Sequence, residues 1–139
     1  MNVMNAPPGV ECLEKARLFI WQPRGLLNEA VLNKILAFIT AQEGKFDRHF
    51  NRFTDLFLVD TVDLTFKYIF HFALYRRLSR IDRQPLKSAI LATAPEVLRY
   101  VKLHALVTDH SPLKVRIFKD YEAAAKWLEV PPALLEKKA

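Results

Sequence analysis

Val115-Arg116-Ile117-Phe118-Lys119-Asp120-Tyr121-Glu122-Ala123-Ala124-Ala125-Lys126-Trp127-Leu128 is the stretch from which the fold is read. Its first four residues alternate apolar and basic side chains with the period of a strand, and from Tyr121 the apolar residues fall at helical spacing. The same strand-then-helix alternation runs back through the chain. A parallel strand pair needs a long crossover, so repeated alternation predicts mainly parallel strands with helices packed over them. The expected fold class is therefore α/β, a small mainly parallel sheet flanked by about four helices.

Upstream of that stretch, Ser88-Ala89-Ile90-Leu91-Ala92 reads as a strand and residues 96–107 as a helix, ended by Asp109-His110-Ser111-Pro112. Leu56-Phe57-Leu58-Val59 is a continuous apolar run, as expected of a central strand covered on both faces. The polar residues before it, 47–54, read as a connection, and Asp60-Thr61-Val62-Asp63-Leu64 as a turn. Thr65 is placed to cap a helix running to about residue 81. Nearer the start, Val31, Ile35 and Ile39 beside Leu32 and Leu36 form one helical stripe, with Asn28 as its cap, Glu29 in its first turn and Gly44 as its close. Two short apolar stretches around Glu14-Lys15 fit an antiparallel hairpin, which Pro23-Arg24-Gly25 ends. Residues 1–9 read as a flexible lead-in, 10–130 as a single domain and 131–139 as a tail behind Pro131-Pro132.

The chain has 139 residues, 51% of them hydrophobic, enough for one ordinary core. A net charge of +6 suits solubility and, without an arm-like polycation, supports nucleic-acid or anionic-surface binding only weakly. Cys12 is the only cysteine, so no internal disulfide forms. The first residues lack the basic start and apolar core of a signal peptide, and no apolar run approaches the ~20 residues of a membrane span. A cytoplasmic protein is the default expectation.

The order hairpin, helix, strand, helix, strand, helix, strand, helix resembles the SpoIIAA-like proteins of the sulphate transporter and anti-sigma-factor antagonist (STAS) group. The matching pieces are Phe53-Thr54-Asp55-Leu56-Phe57-Leu58-Val59-Asp60 leading into Val62-Asp63-Leu64-Thr65, then Ala89-Ile90-Leu91-Ala92-Thr93-Ala94-Pro95, then the phrase around Phe118, Asp120 and Trp127-Leu128. Together they span roughly residues 10–130. The resemblance implies an antiparallel first strand beside parallel ones, and a regulatory module that docks a protein partner. Anti-sigma-antagonist members carry a phosphorylatable serine where this chain reads Asp63-Leu64-Thr65-Phe66, without the double serine or the glycine. Thr65 is accordingly a helix cap first, and Thr65 with Thr61 a candidate phosphoacceptor second.

Catalytic signatures are missing. Gly9, Gly25 and Gly44 lie too far apart for a phosphate-binding loop, which needs glycines for close backbone approach. A receiver-type site would need an acidic pair where Gln22-Pro23-Arg24 stands, which leaves Asp60 without partners for magnesium. His49, His71, His104 and His110 show no ligand spacing, Cys12 reads as a small buried residue, and no serine sits in a nucleophile elbow. No catalytic residue, metal or cofactor is expected.

Residues 66–75, Phe-Lys-Tyr-Ile-Phe-His-Phe-Ala-Leu-Tyr, are richer in aromatics than one helix stripe needs. Phe66, Tyr68, Phe70 and Tyr75 spread around the cylinder, so neighbouring helices, a second copy of the chain or a small apolar ligand must cover part of them. Arg76, Arg77 and Arg80 follow, with Arg83 and Lys87, as a basic face that relieves the helix dipole or contacts an anion. Open α/β sheets bind ligands beyond the carboxyl ends of their strands, where Arg24, Asp60, Thr61, Thr93, Pro95 and Asp120 are the candidates. Two functional readings follow. One is a non-enzymatic module that docks a protein and forms a homodimer; the other is a binding protein for an apolar, lipid-like ligand held beside the aromatic helix.

Overall fold

Four parallel or antiparallel pairings order a five-stranded sheet, β1-β2-β4-β6-β7, in the computed structural model, which describes residues 7–46, 50–79 and 84–136. The strands are β1 (Val10–Leu13), β2 (Leu18–Trp21), β4 (Asn51–Asp55), β6 (Leu86–Leu91) and β7 (Leu113–Phe118). β1 pairs antiparallel with β2, and the other three pairings are parallel. A second, two-stranded parallel sheet joins β3 (Gly25–Asn28) to β5 (Val59–Asp63). The helices are α1 (Glu29–Phe46), α2 (Phe66–Ser79), α3 (Pro95–Val107), α4 (Tyr121–Leu128) and α5 (Pro132–Leu135). The protein is thus mixed α/β with a mostly parallel sheet.

From β2 to β7 the chain advances one way across the sheet. Right-handed crossovers then put α1, α2 and α3 on one face. Trp21, Leu32, Ile35, Ile69, Ile90, Val97 and Val101 form the core there. The opposite face carries Leu18, Ile20, Phe53, Ala89 and Leu91 against Ala124, Ala125 and Leu128 of α4. Because both faces are covered, all four residues of β2 are buried.

Two local expectations hold. Asn28 caps α1, its Oδ1 accepting from the Val31 N–H at 3.0 Å. Thr65 caps α2, its Oγ1 accepting from the Tyr68 N–H at 3.0 Å. Asp120, expected only on the ligand rim, caps α4, its Oδ1 accepting from the Ala123 N–H at 2.8 Å. α1 does not close at Gly44, which lies inside the helix without the left-handed backbone a closing glycine takes.

The central strand is not Leu56-Phe57-Leu58-Val59. It is β4, drawn from the supposed polar connection and hydrogen-bonded between β2 and β6. Its Arg52 and Asp55 are buried because each has partners elsewhere in the chain, so a charged text forms an interior strand. Leu56–Leu58 instead turn out of the sheet, bent by Asp55 Oδ1 accepting from the Phe57 N–H at 3.0 Å. Phe57 and Leu58 are consequently exposed. Residues 60–64, expected as a turn, mostly belong to β5, and Gly25 begins β3 with φ of 72° while its N–H donates to the Leu58 carbonyl.

Both ends of the domain reach further than expected. Pro7 is buried, and the Gly9 carbonyl accepts from the Gln22 N–H at 2.9 Å, which ties residues 7–9 to β2; residues 1–6 of the expected lead-in lie outside the described residues. The expected tail begins with the single turn of α5, because Pro132 suits a first helical position even though it cannot continue α4. Leu135 is fully buried against the α4 core. Leu135→Ala should therefore lower stability in urea unfolding by about 2–5 kcal/mol, the range for a buried leucine. A loss under ~1 kcal/mol would mean that α5 frays from the domain.

Candidate ligand site

Alternation along the sheet sends two rows of side chains toward α1–α3. Phe19, Arg52, Ser88 and Val115 form one row by register, and Trp21, Thr54, Ile90 and Ile117 the next. Beneath the helices these rows border a partly open cavity of about 100 Å³, measured as space open to the centre of a water molecule. That is room for several waters or a small ligand. Leu32, Ile35, Leu36 and Ile39 from α1, Ile69 and Phe72 from α2, and Val97, Tyr100 and Val101 from α3 supply apolar walls. The aromatic helix is a wall of this cavity, yet through Phe72 rather than through the four aromatics singled out in the sequence.

Those four divide. Tyr68 donates its hydroxyl to Asn33 Oδ1 at 2.6 Å and so fastens α2 to α1. Phe66 lies 5.1 Å from the Tyr100 ring, with the Arg99 guanidinium 5.0 Å above it. Phe70 and Tyr75 are exposed, together with Leu78.

One end of the cavity is polar. Arg52 rises from the second position of the central strand and is 8% exposed. Its Nη2 pairs with Glu43 Oε2 of α1 at 3.0 Å. Arg76 reaches the same space from α2 and donates Nη1 to His104 Nε2 of α3 at 3.0 Å. Arginine has no acceptor, so His104 Nε2 accepts and the ring proton resides on Nδ1. Burial pulls His104 well below the usual histidine range, and the Arg76 charge pulls the same way, so the ring is neutral at neutral pH. Burial lowers Arg76 and Arg52 as well, although a guanidinium remains charged.

Two buried donors here have no partner among the described residues: Arg52 Nε and His104 Nδ1. Buried N–H groups are seldom left unmade, since each costs about 1–3 kcal/mol. Among the described residues, Glu43 is the carboxylate beside these two guanidiniums and pairs with Arg52. Beside the apolar cavity lie, among the described residues, a guanidinium without a carboxylate partner and two idle donors.

Of the expected basic face of Arg76, Arg77 and Arg80, the two described residues both reach to α3 and its end. Arg76 points inward, and Arg77 Nη1 donates to the carbonyls of Val107, at 3.1 Å, and of Asp109, closing the end of α3 rather than its own helix. Arg80, like His49, lies outside the described residues.

Of the expected rim, Arg24, Thr93, Pro95 and Asp120 follow the carboxyl ends of β2, β6 and β7, all exposed. Asp60 and Thr61 belong to the second sheet. They lie in β5, where the Thr61 hydroxyl donates to Asp60 Oδ1 at 2.9 Å. The rim's buried polar centre is Asp55, fully enclosed and accepting from Gln22 Nε2 at 2.7 Å and the Tyr121 hydroxyl at 2.6 Å. Burial, and then the Asp55 hydrogen bond, push Tyr121 above the usual tyrosine range.

Sequence reasoning passed over Arg52, Glu43 and His104 as site residues. A signal existed for two of the cavity's polar groups. Ile69, Phe72, Ala73 and Arg76 fall at i, i+3, i+4 and i+7, and Val97, Val101 and His104 at i, i+4 and i+7. A charge or imidazole on a core stripe marks a group turned inward.

Comparison with protein-family models, with curated proteins and with solved structures finds no match. Among the described residues, no helix is long and apolar enough to cross a membrane.

Proposed function

We propose that this protein is a small-ligand binding module of the SpoIIAA-like kind that takes up a compact apolar molecule between its sheet and α1–α3. The observation that carries this reading is a preformed cavity with mainly aliphatic and aromatic walls and a few convergent polar groups at one end. Native cores are close-packed, and space on this scale beneath three helices is uncommon without an occupant.

Trp21 borders the cavity, whereas Trp127 packs on the opposite side of the sheet beside Phe118. In Trp127→Phe protein the remaining tryptophan reports on the cavity alone. Titration with 1-decanol should change its emission saturably. At ten times the dissociation constant the fold should gain about 1.4 kcal/mol, roughly 4–6 °C in Tm. Val101→Phe, which fills the space, should abolish both signals. Unchanged emission and Tm up to the solubility limit of decanol would end this reading.

A second reading, self-association or partner docking, draws on a different surface. Phe70, Tyr75 and Leu78 of α2 and Leu106 of α3 are exposed, with Leu106 71% accessible. Aromatic and aliphatic residues gathered on two packed helices suit a homodimer contact. Sedimentation should then show dimers in the micromolar range that Tyr75→Glu with Leu106→Glu dissociates; a strict monomer at high micromolar concentration would remove this reading.

A further inference from the structure

The geometry points to a carboxylate site at the polar end of the cavity: the ligand is a compact apolar monocarboxylic acid, its hydrocarbon part against Leu32, Ile35, Ile39 and Val101 and its carboxylate held by Arg52, Arg76 and His104. This rests on the cavity being a binding site and adds the charge of what it binds.

Three independent features converge. The first is the sign of the charge: among the described residues, two guanidiniums and a single carboxylate, Glu43, share a largely desolvated space. Two cations in such surroundings repel, and one neutralising group leaves the other uncompensated. The second is hydrogen-bonding capacity. Arg52 Nε and His104 Nδ1 are both donors, both buried and both idle, and no acceptor among the described residues meets them. A carboxylate offers about four lone-pair positions and no proton, which matches idle donors around a positive charge. A neutral alcohol or a cation matches less well. The third is provenance. Arg52, Arg76 and His104 come from β4, α2 and α3, so the fold converges them without local sequence proximity.

A structural role alone does not account for Arg76. It pairs with an imidazole rather than with an acid, and an apolar side chain of similar length would fill the same stripe beside Ile69, Phe72 and Ala73. Such a replacement would also relieve the like-charge repulsion with Arg52. Recognition of an acid keeps the guanidinium there.

The test compares three probes on Trp127→Phe protein, followed by Trp21 emission and calorimetry: decanoate below its micelle-forming concentration, 1-decanol and acetate. Decanoate should bind at least tenfold more tightly than decanol, and acetate far more weakly than either. Arg76→Met should retain a ligand-free Tm at or above that of the parent, keep decanol binding and lose the preference for the acid. Arg76→Lys should restore part of it. Equal affinity for decanoate and decanol would overturn the carboxylate site and leave the cavity reading standing. Acetate binding as tightly as decanoate would reduce the site to a plain anion site and overturn the apolar-acid claim. A preference that survives Arg76→Met would overturn the assignment to these residues. Failure of decanol and decanoate alike would refute the cavity reading, and this inference with it.

Discussion

Asp55→Ala is expected to destabilise the fold by about 3–5 kcal/mol, the upper range for a single substitution. Asp55 is fully buried and accepts from three donors, Gln22 Nε2, the Tyr121 hydroxyl and the Phe57 N–H. Alanine would leave all three unmade, each at about 1–3 kcal/mol. Relief of the buried charge offsets part of that sum. The three donors come from the end of β2, the start of α4 and the turn after β4, so the loss should spread beyond one loop. Asp55→Asn should cost about half as much: its carbonyl still serves the Phe57 N–H, while its amide meets two donors with a third. Urea unfolding of both variants checks the order. A loss under ~1 kcal/mol for alanine would mean that the network is solvated and does not join these elements.

Glu43→Ala should have a comparable effect for a different reason. Glu43 accepts from Arg52 Nη2 at 3.0 Å and from the Phe50 N–H at 3.3 Å, and its side chain is 14% exposed. Breaking a buried ion pair from one side costs about 3–5 kcal/mol, because the surviving charge stays desolvated and alone. Here the survivor would also face Arg76 across the cavity. Arg52→Met added to Glu43→Ala should recover most of the loss, since neither charge then remains. Double-mutant analysis of unfolding free energies measures this. Recovery below a third would show that Glu43 acts chiefly through the Phe50 backbone and not through charge.

The longer strands and helices of the C-terminal half were legible because their signals are local. Leu86–Leu91, Pro95–Val107 and Tyr121–Leu128 carry their period and their flanking breakers within a few residues. The antiparallel start was legible for the same reason, since a tight turn separates two short apolar runs. β4 was not. Arg52 and Asp55 make Asn51–Asp55 read as surface, and they are tolerated inside only because Glu43, Gln22 and Tyr121 arrive from 9 to 66 residues away. The apolar run Leu56–Val59 attracted the strand assignment that belonged one step earlier. β3 and β5 were lost between expected turns, because a two-stranded parallel pair of four or five residues has too little period to stand out.

Hydropathy period and charge are properties of neighbouring residues, and from them alone the chain specifies an α/β class and the starts of its longer helices. Which charges become interior is set by distance in space. Packing α1, α2 and α3 over one sheet face brings Arg52, Arg76 and His104 to one low-dielectric end of a cavity and Glu43 against Arg52, where burial changes what each group requires of its partners. No local pattern encodes that convergence, because the desolvation behind it exists only once the helices are docked.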